Sequence, residues 1–167
     1  MTLIVEDGSV VENANSLVSR DDYIDYAASV GVTIENTEDA DFQLIKALNF
    51  ISSYEDRLKG TRTDRDQSAP YPRSGLRING WAWDDDEIPI AAIRCQIELA
   101  LEINSGTDLY NPVFSKGPRI EETVSGAVTV KYGVQLSIPI RTQSRAFKLL
   151  NDLLKSSGLQ SIELVRA

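Results

Sequence analysis

The stretch that decides the fold is Glu38 to Gly60, EDADFQLIKALNFISSYEDRLKG. Leu44, Leu48, Ile51 and Leu58 recur with Ala47 and Tyr54 at helical spacing, and Phe42 and Ile45 widen the apolar face. Asp39 and Asp41 fall in the first turn, and Arg57 and Lys59 in the last, as the helix dipole prefers. This predicts one amphipathic helix over residues 38–60, closed by Gly60.

Its neighbours read the same way. SRDDYIDYAASVG, residues 19–31, predicts a helix with Ser19 as N-cap and Gly31 as the C-terminal glycine. IPIAAIRCQIELALEINSG, residues 88–106, is the most continuously apolar. It predicts a central helix with Pro89 in its first turn and Ile90, Ile93, Ile97, Ala100 and Leu101 on its inner face. TQSRAFKLLNDLLKSSG, residues 142–158, predicts a fourth helix with Phe147, Leu150 and Leu153 or Leu154 inward. Strand signals are few: LIV at 3–5, the alternating ETVSGAVTVKY at 122–132, and SIELV at 161–165. Val124 to Tyr132 is expected to pair with LIV or with another chain. The expected fold is mainly α, a compact four-helix core with long connecting loops and a small β element. The whole chain, 1–167, reads as one domain.

Bulk chemistry narrows the function classes. The 167 residues carry a net charge of -8, so long-range attraction to free DNA or anionic lipid is not expected. No apolar run approaches a membrane span, and no signal peptide is read in MTLIVEDGS. There is no histidine, which removes the usual general base and the commonest metal ligand. Cys95, the single cysteine, reads as a buried small hydrophobe in the third helix. Glu98 and Glu102 read as the polar stripe of that helix. No catalytic residue, cofactor or metal site is expected, and catalysis is the weaker class.

Charge is uneven. Residues 1–56 hold twelve acids and two bases, whereas residues 57–77 hold six bases and two acids. The connection over 61–87 therefore forms a positive belt beside an acidic surface. Its KGTRTDRD segment lacks the second glycine and the Lys-Ser/Thr pair of a phosphate-binding loop, and it follows a helix rather than a strand. Three readings remain. Arg62, Arg65, Arg73 and Arg77 meet phosphates while Tyr71, Trp81 and Trp83 stack bases; or the belt contacts another copy or a protein partner; or it is a solvated connection. Within it, Pro70 and Pro72 restrict Ala69 and Tyr71, and Gly75 allows a turn. That predicts a stiff clasp, with Tyr71 packed on a helix and Arg73 paired to a carboxylate. The tip at 61–68 is expected to be mobile or intersubunit. Asp84, Asp85, Asp86 and Glu87 lack calcium-loop spacing. Asp86 or a neighbour is expected to cap the third helix.

LIVEDGSVVENANSLVS, KGTRTDRDQSAPYPRSG, DDEIPIAAIRCQIELAL and SGAVTVKYG, in that order, resemble a family of tailed-bacteriophage proteins. Its members are labelled DnaT-like single-stranded-DNA-binding proteins, and the family is similar to head-tail connector or adaptor proteins. The family motif reads WPR-x-G; here Tyr71 stands for the tryptophan, and Pro72, Arg73 and Gly75 match. Ile88, Pro89 and Ile93 match the start of the central helix. The connector likeness implies a ring of twelve copies between a portal protein and a tail-completion or stopper protein. Viral DNA would pass through its lumen in the neck of a virion assembled in the host cytoplasm. Arg62, Arg65, Tyr71, Arg73, Arg77, Trp81 and Trp83 become candidate intersubunit or portal contacts, and residues 111–132 and 159–167 candidate arms. The DnaT-like label implies instead a replication protein that binds single strands.

Overall fold

The computed structural model describes residues 2–110, 119–123, 129–132 and 144–155. Four helices form the body: α1 (Arg20–Ser29), α2 (Thr37–Ser52), α3 (Ile90–Asn104) and α4 (Arg145–Leu153). Among the described residues, six short strands pair two by two in antiparallel fashion: β1 (Thr61–Arg62) with β2 (Arg73–Ser74), β3 (Arg77–Ile78) with β4 (Trp81–Ala82), and β5 (Arg119–Thr123) with β6 (Thr129–Tyr132). The protein is mainly α with a small β element.

Helix α3 packs on α2 and on α4, and α1 lies against α2 and α3. The core they share includes Leu44, Ala47, Leu48 and Ile51 of α2, Cys95, Leu99 and Ala100 of α3, and Leu150 and Leu153 of α4. Phe50 sits among Tyr54, Tyr110 and Phe147 with ring centroids 5.4–5.8 Å apart, all edge to face, the arrangement that ring quadrupoles favour.

Caps set the helix ends. The Ser19 hydroxyl accepts from Asp22 N–H at 3.1 Å and starts α1. At its other end Val32 N–H donates to Ala27 O and Gly31 N–H to Ala28 O. Gly31 sits at φ +78, a Schellman closure that glycine enters without strain. Helix α2 starts at Asn36, whose side chain accepts from Glu38 N–H.

Helix α2 is shorter than its apolar periodicity implies. It stops at Ser52, and Glu55–Arg57 form a separate 3-10 turn. The Ser52 and Ser53 hydroxyls donate to Leu48 O at 2.9 Å and Phe50 O at 2.6 Å. Such back-bonding competes with the main-chain ladder. Arg57 and Lys59 therefore lie beyond the helix, not in its last turn, although Leu58 still reaches the core. Phe42 and Ile90, both expected inside, are 60% and 55% exposed. In α3 the buried face is turned toward Ala92, Cys95, Gln96, Ile97, Leu99 and Ala100.

LIV is not a strand in a sheet. Val5 makes one isolated parallel bridge to Ser16. Beyond it the buried Glu6 carboxylate accepts from Gly8, Val10 and Val11 N–H at 2.9–3.0 Å and winds the chain into a loop. The 122–132 segment is not one continuous strand either. Thr129–Tyr132 pairs with Arg119–Thr123 of the same chain, Thr123 opposite Thr129, and not with LIV. Residues 111–118, 124–128 and 133–143, and SIELV with the 159–167 arm, lie outside the described residues.

Candidate functional site

The 61–87 connection is built, not loose. Arg62 stands opposite Arg73 in the β1–β2 ladder, and one carboxylate joins the pair. Glu55, on the 3-10 turn, accepts from Arg62 Nε and Nη2 at 3.0 Å each and from Arg73 Nη1 at 2.6 Å. Arg73 also donates to Lys59 O at 2.8 Å, Gly60 O at 3.1 Å and Pro70 O at 3.2 Å, and only 4% of the residue is exposed. Burial pushes the Glu55 carboxyl up, but hydrogen bonds and charge from the two arginines outweigh it and hold the group below the usual carboxylate range.

The tip is ordered by a residue the charge pattern hides. Gln67 is buried. Its Oε1 accepts from Thr63 and Asp64 N–H at 3.0 and 3.1 Å, and its Nε2 donates to Ala69 O and Pro72 O at 2.9 and 3.1 Å. Arg62 Nη1 donates to the Gln67 carbonyl. The tip, expected to be mobile or intersubunit, is wound about this amide within its own chain. No short-range pattern flags Gln67 beyond its position between two turns.

The stiff segment packs inward. Pro70, Tyr71 and Pro72 are buried, Tyr71 is fully so, and the Tyr71–Pro72 peptide bond is cis. Gly75 takes φ +66 and turns the chain into β3. Tyr71 and Arg73, proposed from sequence as contacts, lie inside the chain. Arg62 is also paired within it.

Arg65, Arg77 and Trp81 remain at the surface. The Arg65 side chain is 94% exposed, with Asp66 3.7 Å away. Asn79 and Gly80 both have positive φ, as a tight primed hairpin turn requires, and they close β3 on β4. That hairpin holds Trp81 out, 77% exposed, opposite Ile78, while Arg77 stands opposite Ala82 and, among the described residues, donates to Gly80 O at 3.4 Å. Trp83 packs against the core instead, and its Nε1 is buried without a partner among the described residues.

Asp86 does not cap α3. Pro89 occupies the N-cap position and no side chain bonds there. The DDDE acids close their own turn: Glu87 N–H donates to Asp84 O at 3.1 Å, and Asp84 N–H to the Glu87 carboxylate at 3.4 Å. Two contacts then join three loops. Thr63 Oγ1 donates to Asp85 O at 2.9 Å and Asn13 N–H to Ser68 Oγ at 3.1 Å. Among the described residues, no group of three or more His, Cys, Asp or Glu is placed to hold a metal ion.

Two polar side chains of the body, the buried Gln96 and the partly buried Glu98, also escape a sequence reading. Gln96 Oε1 accepts from Leu17 N–H, while its Nε2 donates to Leu44 O and Ser16 Oγ. Glu98, read as part of a solvated stripe, accepts from Tyr26 Oη at 2.7 Å and forms an ion pair with Arg145, whose Nε is 3.1 Å away, tying α1 and α4 to α3.

Fold and loop together define a class: a mainly helical domain carrying a braced double hairpin that displays one indole. The family model described as "Putative DnaT-like ssDNA binding protein" matches residues 1–167, and the chain belongs to that family. No curated protein and no solved structure matches the chain. The likeness to connectors rests on the quoted motifs alone.

Proposed function

We propose that the chain binds single-stranded nucleic acid through the β3–β4 hairpin, with Trp81 as the stacking platform and Arg77 and Arg65 as phosphate contacts. The observation that carries this reading is the 77% exposure of Trp81 on a hairpin fixed by Asn79–Gly80. Every base offers a π-face, so stacking on an indole is sequence-tolerant. The family description supports the same direction. A net charge of -8 leaves the local contact, not long-range attraction, to hold the strand.

Fluorescence anisotropy of a labelled oligothymidylate, titrated at two salt concentrations, tests this. Stacking is worth roughly 1–3 kcal/mol per base, so Trp81→Ala weakens binding about 5- to 150-fold. Arg77→Ala lowers the salt slope by about one. No saturable binding by the native chain at low salt overturns the reading.

A second reading is a structural viral protein: a ring of copies between portal and tail or stopper proteins, with DNA passing through without specific contact. The favouring observation is that Glu55 takes up both Arg62 and Arg73, leaving a predominantly acidic surface that repels a backbone. Neither reading requires turnover. Native mass spectrometry alone and with a portal protein tests this one, and a chain that stays monomeric in both removes it.

A further inference from the structure

Two exposed features of the helical body complement each other in polarity and in charge. The first is a groove of about 410 Å³ between the N-terminal segment, α1 and α3. Val18, Ile90, Ile93 and Ile97 make it apolar, and Asp22 of α1 and Arg94 of α3 are its charged members. One Asp22 oxygen accepts from Ser19 Oγ at 2.6 Å. Neither Asp22 nor Arg94 has an ion pair among the described residues.

The second is a stripe on α2. Glu38, Phe42 and Lys46 recur every four residues and so share one side of the helix. Phe42 is 60% exposed, although α2 buries Leu44, Ile45, Ala47 and Leu48 around it. Lys46 Nζ lies 5.8 Å from the Phe42 ring centroid. Glu38 and Lys46 also lack ion pairs among the described residues. The stripe therefore sets an aromatic ring between an acid and a base, over roughly 12 Å of helix.

We infer that a second copy of this chain lays its α2 stripe in the groove, with Phe42 against Ile90 and Ile93, Glu38 toward Arg94 and Lys46 toward Asp22. A helix face docked in an apolar groove is a recurrent recognition mode, and covering the ring and the isoleucines removes apolar surface from water. The charges set the direction. Reversed docking would put Glu38 against Asp22 and Lys46 against Arg94, like against like. Stripe and groove are different patches, so the contact is heterologous: each copy offers one of each. The inference rests on the ring reading, for which it names a contact between copies. It uses none of the residues assigned to nucleic acid.

Sedimentation equilibrium of the native chain, of Phe42→Asp, of Ile90→Asp and of a 1:1 mixture of the two variants tests it. Phe42→Asp spoils the stripe and keeps the groove; Ile90→Asp does the reverse. Both positions are exposed, and an acid in the first turn of α3 suits the helix dipole. Unchanged urea midpoints are the control for folding. The native chain is expected to associate, and each variant alone to associate at least about 30-fold more weakly, as on loss of an interface hot spot. The mixture should recover one intact contact and stop at a dimer. Phe42→Ser and Ile90→Ser, run alongside, should give the same pattern without added charge. Association that survives in either variant, or a mixture that stays monomeric, overturns the inference but not the ring reading. A native chain that is monomeric at every concentration overturns both and leaves the groove to a different protein.

Discussion

Glu55 and Arg73 meet at 2.6 Å, with the arginine side chain 5% and the carboxylate 30% exposed. The guanidinium also closes on three carbonyls from both sides of the β1–β2 hairpin. The most basic stretch of the sequence is therefore partly neutralised from within, and its rigidity comes from an arginine at its base.

Removing one partner of a buried, hydrogen-bonded pair leaves uncompensated polar groups. Arg73→Ala is expected to destabilise the fold by about 3 kcal/mol. Arg62 is 35% exposed, and its removal costs at most about 1 kcal/mol. Urea unfolding midpoints of the two variants check the ranking, and equal losses would contradict the buried role of Arg73.

Acid should weaken the protein. The hydrogen bond from Arg20 lowers the Asp41 carboxyl pKa; burial opposes this and the arginine charge adds to it. Burial raises the Glu55 pKa, but the hydrogen bonds from Arg62 and Arg73 prevail and the net is lowered. Both folded values thus lie below the unfolded ones of about 4. The stability they contribute is present above about pH 4 and is lost as pH falls through the folded values. Urea midpoints measured from neutral pH downward should drop in that region. Glu55→Gln should start lower and fall less steeply; a curve parallel to the native one would contradict the assignment.

Gln67 holds the tip by four hydrogen bonds. Gln67→Ala leaves two N–H groups and two carbonyls without their partner. At roughly 1 kcal/mol per net bond, shared with entering water, a loss of about 2 kcal/mol is expected. The Thr63 and Asp64 amides should exchange faster while those of α2 stay slow. Unchanged tip amides would show that the loop is ordered by something other than Gln67.

How much of this is legible in sequence depends on range. The α1 caps at Ser19 and Gly31 are local and can be read from adjacent residues. So can the inward Leu150 and Leu153 of α4. The early stop of α2 is also local, but it depends on two serine hydroxyls turning back, which apolar spacing does not reveal. Gln96 joins residues 79 and 80 positions away, and Glu98 joins α1 to α4. Such partners are set by packing, so their side chains look like ordinary helix polars. The β3–β4 hairpin is different: Asn79–Gly80 between Ile78 and Trp81 is a strong local turn signal. Reading 61–87 as an unstructured connection passes over it, and with it the reason why Trp81 points outward and Trp83 does not.

The last prediction concerns the contact between the N-terminal loop and the DDDE turn. Gly8 sits at φ +105, and a Cβ built there would lie 1.9 Å from the Asp86 carbonyl oxygen. Two penalties coincide at that position: a backbone region that L-residues rarely enter, and a clash with main chain rather than with a side chain that could swing away. The Glu6 carboxylate holds Gly8 N–H at 3.0 Å, so the loop cannot shift without breaking that bond. Gly8→Ala is therefore expected to destabilise by more than the ~1 kcal/mol of an ordinary loop substitution, on the order of 2–4 kcal/mol. Gly31→Ala is the control. It also has positive φ but meets nothing within 4 Å, so only the conformational penalty, about 1–2 kcal/mol, applies. Thermal unfolding of the two variants separates clash from strain, and equal losses would mean that the loop and the DDDE turn do not touch.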